Sequence, residues 1–294
     1  MKLSWLWKIV SCAVIYLIGT VLGGILVGAV GLRLPAAFTS GDAARSFWQA
    51  AAATPILVIG LAPLAAGLGG SWWARFGGLF LLTYVAFNLN SVLELRIFSG
   101  VFRNGGEPAV LLQGVLPALV LCGALAWCFR GPATGNPAPH YGAAGWIWRL
   151  ALGVLAFPLV YFVFGLMVGP IVTPYYNGGG PFGLTIPSPA VIFSTQFVRS
   201  TLFLVASLPA ILLWGGSRRA LIGALGLAHA ALVGIYGLAQ AGGVMPDILR
   251  IAHGLEITVD SFAYAGLLVW LIVPRRASRV DEPAERRLGV PLPG

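Results

Sequence analysis

Residues 250–275 read RIAHGLEITVDSFAYAGLLVWLIVPR. The run is long enough to cross a bilayer, for which about 20 apolar residues suffice. Yet His253, Glu256 and Asp260 fall inside it. An ionisable group within a spanning segment is costly and marks a functional site by default. The three fall at i, i+3 and i+7, and Tyr264 follows one turn later, so a single helix face carries all four.

The composition extends this reading to the whole chain. Of 294 residues, 58% are hydrophobic and only 9% charged, and the mean hydropathy is +0.89. A soluble domain carries about 25% charged residues, so lipid is the expected solvent for most of this surface. The net charge of +9 does not point to nucleic acid. Basic residues gather at the ends of apolar runs and in the tail, which is the topological pattern of membrane proteins. Cys12, Cys122 and Cys128 lie in apolar runs without a CxxC pair and read as small buried hydrophobes.

Charged and Gly/Pro-rich segments divide the chain into eight apolar runs, at about 9–32, 46–70, 76–97, 108–129, 146–170, 190–214, 220–241 and 250–273. The first exceeds the 7–15 residues of a signal-peptide core and no A-x-A site follows, so it reads as a spanning helix. The expected architecture is all-α, a bundle of about eight transmembrane helices. Residues 1–130 form a first four-helix unit, 131–145 a cytoplasmic linker, 146–275 a second four-helix unit and 276–294 a disordered cytoplasmic tail. With the N-terminus inside, twelve Lys and Arg fall on the inner side. Six, Arg33, Arg45, Arg96, Arg103, Arg199 and Arg250, fall on the outer side. Both termini are then cytoplasmic, and the abundance of Arg, Gly, Ala and Pro over Lys hints at a bacterial inner membrane.

The halves resemble one another. WLWKI at 5–9 recurs as WIWRL at 146–150, and GGSWWAR at 69–75 as GGSRRAL at 215–221. Arg45-Ser46 with Pro55 recurs as Arg199-Ser200 with Pro209, and Gly123, Trp127 and Arg130 match Gly266, Trp270 and Arg275. Four helices per unit would make this a parallel repeat about an axis along the membrane normal, as in some transporters. Trp and Arg at helix ends are also what any membrane interface selects.

Depth follows from 1.5 Å per helical residue. Above Arg275, Asp260 lies roughly 22 Å up, Glu256 roughly 28 Å and His253 roughly 33 Å. Above Arg75, Asn90 lies roughly 22 Å up and Glu94 roughly 28 Å. His229 is only roughly 15 Å above Arg219. The polar groups therefore gather in the outer half. One reading is a polar cavity open to the outside, walled by Asn88, Asn90 and Glu94 from the first half and by Asp260, Glu256 and His253 from the second. The other is that Glu94, Glu256 and His253 simply meet water at the interface. Asp260 lies a turn or more deeper and must be protonated, paired or hydrated. Glu256 and Asp260, four apart, should titrate as a pair, which suits proton coupling. The alternative is a structural hydrogen bond from protonated Asp260 to an amide such as Asn90.

No Walker loop, HExxH or nucleophile motif is present, and no cofactor is implied. His253 and His229 differ in depth by roughly 18 Å, too far apart for one haem iron. A metal site from His253, Glu256 and Glu94 is geometrically possible without a recognisable spacing. The glycine run NGGGPFG at 177–183 reads as an outer loop, with a lid or re-entrant segment as the alternative. Three functions are compatible with these features. They are a carrier or channel for a small solute or ion, a non-transporting subunit or assembly partner of a larger complex, and an intramembrane enzyme using the carboxylates.

Overall fold

The structure, a computed structural model, describes residues 3–39, 42–137, 139–176, 178, 182–242 and 245–274. The disordered tail expected at 276–294 lies outside the described residues, as do Asn177, Gly179, Gly180 and Pro181 of the 177–183 run. Eight helices are long and apolar enough to cross a membrane: α1 (Leu3–Ala29), α2 (Ala43–Gly67), α3 (Trp72–Phe98), α4 (Glu107–Cys128), α5 (Ala143–Tyr175), α6 (Pro189–Leu213), α7 (Arg218–Gln240) and α8 (Asp247–Ile272). Each covers one of the apolar runs read from the sequence. The largest difference is α5, which continues through Pro170 and ends in a 3-10 turn, Thr173–Tyr175.

Helices α1 and α5 lie at the periphery. On α1 the exposed side chains Leu3, Trp7, Val10, Val14, Ile18, Val21 and Ile25 recur every three or four residues and form one apolar stripe. An apolar surface of that extent requires lipid or a partner to cover it. The opposite, buried face of α1 mixes Ile9, Tyr16 and Val27 with the small residues Cys12, Ala13, Gly19 and Gly23. A methyl added to Gly23 would lie 2.3 Å from the Gln113 carbonyl oxygen, so glycine allows α1 and α4 backbones to approach closely. The core is made by the inner faces of α2, α3, α4, α6, α7 and α8. Leu57, Leu61, Leu64, Leu79, Leu82, Leu121, Leu125, Leu221 and Leu268 are completely buried there.

The helices pair in matching fashion in the two halves. Helix α1 packs on α4 as α5 does on α8, α1 on α2 as α5 on α6, and α3 on α4 as α7 on α8; across the middle, α2 meets α7 and α3 meets α6. Helices α3 and α7 each contain a π-helical turn, Tyr84–Leu89 and Ala231–Ile235. Ser71 and Ser217 cap α3 and α7 by accepting the Ala74 and Ala220 N–H groups, both at 3.2 Å.

Immediately before these caps the two halves are stitched together. Gly69 N–H donates to the Leu213 carbonyl (2.7 Å) and Gly215 N–H to the Gly67 carbonyl (2.9 Å). Gly215 follows Gly69 by 146 positions and Leu213 follows Gly67 by the same number. The linker closes over this latch: Gly70 N–H donates to the Ala133 carbonyl, and Asn136 N–H to the Trp214 carbonyl. A methyl on Gly131 would lie 1.9 Å from the Leu68 carbonyl oxygen, with backbone on both sides. Gly131→Ala is therefore expected to lower stability by about 2 kcal/mol, the usual penalty for forced overpacking. Gly266→Ala in α8, where an added methyl meets nothing within 4 Å, is expected to leave it unchanged or slightly raised. Thermal unfolding in detergent compares the two; equal midpoints would mean that the latch is not tightly closed.

The latch also sets the register between halves. Helices α2 and α6 are each 25 residues long and end at these matched positions. Counted back from the latch, Pro209 corresponds to Pro63, not Pro55, and Arg199 corresponds to Ala53, not Arg45. The Arg45-Ser46…Pro55 anchor is offset by eight residues from this count.

Candidate functional site

Arg199 stands at the centre of the polar groups. It lies mid-helix in α6, on the face turned toward α3, and only 2% of it is exposed. Its Nε donates to Asn90 Oδ1 (2.7 Å), one Nη to Gln196 Oε1 (3.0 Å) and the other to Glu94 (2.5 Å). The rings of Phe157, Phe203 and Tyr161 cover it at 5.1, 5.6 and 5.8 Å from their centroids. This is what a buried guanidinium requires: its planar fork is filled by acceptors and its faces by aromatic rings.

Local structure explains how α3 supplies its share. The π turn Tyr84–Leu89 adds a residue to one turn, which rotates all that follows by about 100°. Asn90 and Glu94, one turn apart in the α-helical segment beyond it, then both face α6. Asn88, inside the π turn, is buried against α4 instead. Its Oδ1 sits 2.0 Å from where a Gly114 side chain would begin, and it joins no hydrogen bond with the cluster.

Helix α8 supplies the carboxylates. Glu256 and Asp260 are both buried, at 9% and 7%. A methyl on Gly165 of α5 would be 3.4 Å from Glu256 Oε1, so glycine makes room for that carboxylate. Asp260 lies within the electrostatic reach of Glu256 and Arg199, and Tyr161 within that of Arg199, Glu94, Glu256 and Asp260. Groups from α3, α5, α6 and α8 thus form one cluster. Asp260 makes no hydrogen bond. Its Oδ1, Gln196 Nε2 and Asn90 Nδ2 are buried without a partner among the described residues.

A chain of contacts leads outward. His253 Nδ1–H donates to Glu256 Oε2 (2.9 Å), and the Tyr176 hydroxyl lies 3.1 Å from His253 Nε2. Burial pushes the Tyr176 hydroxyl well above its ordinary range; with that hydroxyl donating to Nε2, the imidazole presents an N–H at Nδ1 to Glu256. The cluster touches the outer surface mainly through Glu94 and His253, whose side chains are 35% and 21% exposed.

The structure brings together five of the six residues read from the sequence, Asp260, Glu256, His253, Asn90 and Glu94, and separates Asn88. It corrects three expectations. Glu256 is buried and paired with His253, so it does not simply meet interfacial water. The hydrogen bond from Asp260 to Asn90 is not formed, because Arg199 occupies the Asn90 carbonyl. Arg199 belongs to the buried cluster and not to the outer-side charges. The signal that marked Asp260 also marked Arg199, which is the only charged residue of α6 and stands ten residues from its N-terminal end.

His229 is fully buried in α7, apart from the cluster, hydrogen-bonded to Ser207 (2.9 Å) and flanked by Phe203 and Tyr264. Among the described residues no group of three or more His, Cys, Asp or Glu is placed to hold a metal ion. Two cavities lined by described residues bear on the site. One lies among the outer connections and a small one lies beside Trp214, and no residue of the cluster lines either. No protein-family model matches the chain, and neither a curated protein nor a solved structure is detectably similar to it.

Proposed function

We propose that the chain is a multi-pass membrane carrier or channel for a small solute or ion, that the Arg199 cluster is its site in the outer half of the membrane, and that it is coupled to protons. The observation that carries this reading is the cluster itself. A buried guanidinium is paired with Glu94, Asp260 lies within the electrostatic reach of that guanidinium and of Glu256, and one Asp260 oxygen is left without a partner among the described residues. Ionisable groups are retained at that depth chiefly for ion pathways and proton relays. Tyr176, His253 and Glu256 connect the outer surface to Asp260, and the latch at Gly67–Ser71 and Leu213–Ser217 closes the inner side. The matching helix pairs, π turns and caps support a parallel duplication, with the site on the α3–α6 seam between units, where transporters of repeated architecture bind.

The test is proton flux. Purified protein is reconstituted in liposomes loaded with a pH-sensitive dye, and panels of amino acids, organic acids, sugars and monovalent or divalent cations are added outside. At least one class is expected to drive a lumenal pH change absent from protein-free liposomes. Silence across the whole panel, together with absent counterflow, would remove the carrier reading.

A second reading, a non-transporting subunit or assembly partner of a larger complex, draws on the closed state of the cluster, which neither cavity reaches. In that case the charges serve to fix helix packing. An intramembrane enzyme using the carboxylates would need access of the same kind as a carrier.

The orientation belongs to the same proposal: a plasma membrane, in a bacterium the inner one, with both termini cytoplasmic. Trp7, Trp73, Trp127, Trp148 and Trp270 are exposed at one end of the bundle. Lys8, Arg130 and Arg149 at that end lie over Phe129, Trp127 and Tyr141. Such an aromatic and basic belt is typical of a cytoplasmic interface. A reporter fused after Asn136 is expected to read cytoplasmic and one within 177–186 external; the reverse pattern would invert the proposal.

A further inference from the structure

The outer cavity is separate from the Arg199 cluster and has a chemistry of its own. It has a volume of about 550 Å³, within the range of roughly 300–1,000 Å³ typical of small-molecule sites. Arg33, at the exit of α1, and Arg103, in the α3–α4 connection, both line it. Both are exposed, and among the described residues neither pairs with an acid. No acid lines the cavity among the described residues, and Glu107, next to the lining residue Gly106, is held by Arg96 at 2.8 Å, so the charge at the cavity wall is positive.

The walls are preformed. Gly100 N–H donates to the Phe182 carbonyl (3.0 Å) and Thr185 N–H to the Phe98 carbonyl (2.9 Å), which ties the α5–α6 connection to the α3–α4 connection. Gly106, at φ +107°, lies against Pro35, which ties in the α1–α2 connection; a methyl there would be 2.9 Å from the proline ring. Gly100 leaves room for the Arg103 side chain, whose Nε would be 3.0 Å from a methyl at that position. Three connections are thus fixed around a basin that presents two free guanidinium groups.

We propose that this basin binds a phosphate-bearing anion larger than phosphate itself, held by Arg33 and Arg103. Guanidinium groups pair with phosphate oxygens through parallel charge-assisted hydrogen bonds. The volume leaves room for the glycerol or similar group that the phosphate esterifies. Two sources share this chemistry: the headgroup of an anionic phospholipid in the outer leaflet, and a soluble phosphate ester. The exposed apolar residues Val30 and Leu32 beside Arg33 offer a path for an acyl chain.

The experiment has two arms. In the first, the detergent-purified full chain is incorporated into nanodiscs of phosphatidylcholine alone or with phosphatidylglycerol, and retained lipid is counted by native mass spectrometry. In the second, glycerol 3-phosphate is titrated calorimetrically into the protein in detergent. The Arg33→Gln/Arg103→Gln double variant and the Arg45→Gln control, an exposed outer arginine outside the cavity, go through both arms, with unfolding temperature recorded for each. The expected result is binding in one arm that falls at least about tenfold in the double variant, weakens with salt and survives in the control. Retained phosphatidylglycerol identifies the lipid headgroup, and glycerol phosphate binding identifies the soluble ester. Absence of binding in both arms, or binding equal in the double variant and the wild type, overturns the proposal. Both arginines are exposed, so the double variant is expected to fold; should it not, the single Arg103→Gln variant is read by the same criteria.

Discussion

Arg199→Met is expected to lower folding stability by about 3–5 kcal/mol, the range seen when one member of a buried charge network is removed. Methionine keeps the apolar stem out to about the position of Nε but not the guanidinium that lies over Phe157, Tyr161 and Phe203, so the loss includes those ring contacts as well as the hydrogen bonds. Three acceptors lose their donor: Asn90 Oδ1, Gln196 Oε1 and Glu94. The two amides are the costly ones. Their N–H₂ groups are already unpaired, so losing the carbonyl bonds leaves them wholly unsatisfied in the interior. Glu94 contributes less, because its side chain is 35% exposed and can turn to water. Arg199→Lys is expected to fall between wild type and Met, since one ammonium cannot span three acceptors in the geometry of a fork. Adding Glu94→Gln to Arg199→Met is expected to cost less than the sum of the single changes, as groups in one network do not add. Chemical or thermal unfolding in detergent measures all four variants. An Arg199→Met protein as stable as wild type would mean that the cluster does not organise the α3–α6 seam.

Most of the fold was legible because lipid imposes a simple grammar. Charged and Gly/Pro segments interrupt apolar runs, and eight runs become eight helices. Asp260 was legible for the same reason: it stands too deep to be an interfacial residue. Arg199 was misplaced because STQ and ST flank it on either side, and a polar neighbourhood imitates an interface. Depth counted from the helix end separates the two cases. The π turns were not legible. Neither YVAFNL nor ALVGI contains a residue that demands one, and the two turns pack against each other in the middle of the bundle. Asn88 was grouped with Asn90 for this reason, since hidden turn geometry decides which face each amide occupies. The sequence pairs Pro55 with Pro209, whereas counting from the hydrogen bonds of the latch puts Pro63 opposite Pro209.

Asp260→Asn and Asp260→Leu are expected to separate stability from function, and together they test the proposed coupling most directly. Asp260 is buried, forms no hydrogen bond and has one oxygen with no partner among the described residues. A carboxyl in that state contributes little to the fold and, when ionised, opposes it, because its desolvation is compensated only by the field of Arg199 against that of Glu256. Asp260→Asn retains size and shape and is expected to change stability by less than about 1 kcal/mol. Asp260→Leu removes the unsatisfied oxygens. Relief of desolvation is offset in part by the larger side chain, for a net gain of about 1 kcal/mol. Neither variant carries an exchangeable carboxyl proton. Both are therefore expected to lose proton flux in the dye-loaded liposomes, and any solute uptake that remains in Asp260→Asn is expected to be independent of pH. Glu256, Arg199 and Tyr161, which interact with Asp260, and Glu94 and His253, one contact further away, stay in place, so a surviving pH dependence would assign coupling to one of them. A protein that is more stable with leucine and silent in flux has the signature of a site retained for function at the expense of stability. If Asp260→Leu unfolds while Asp260→Asn transports with its pH dependence intact, Asp260 is a structural residue and the proton relay does not pass through it.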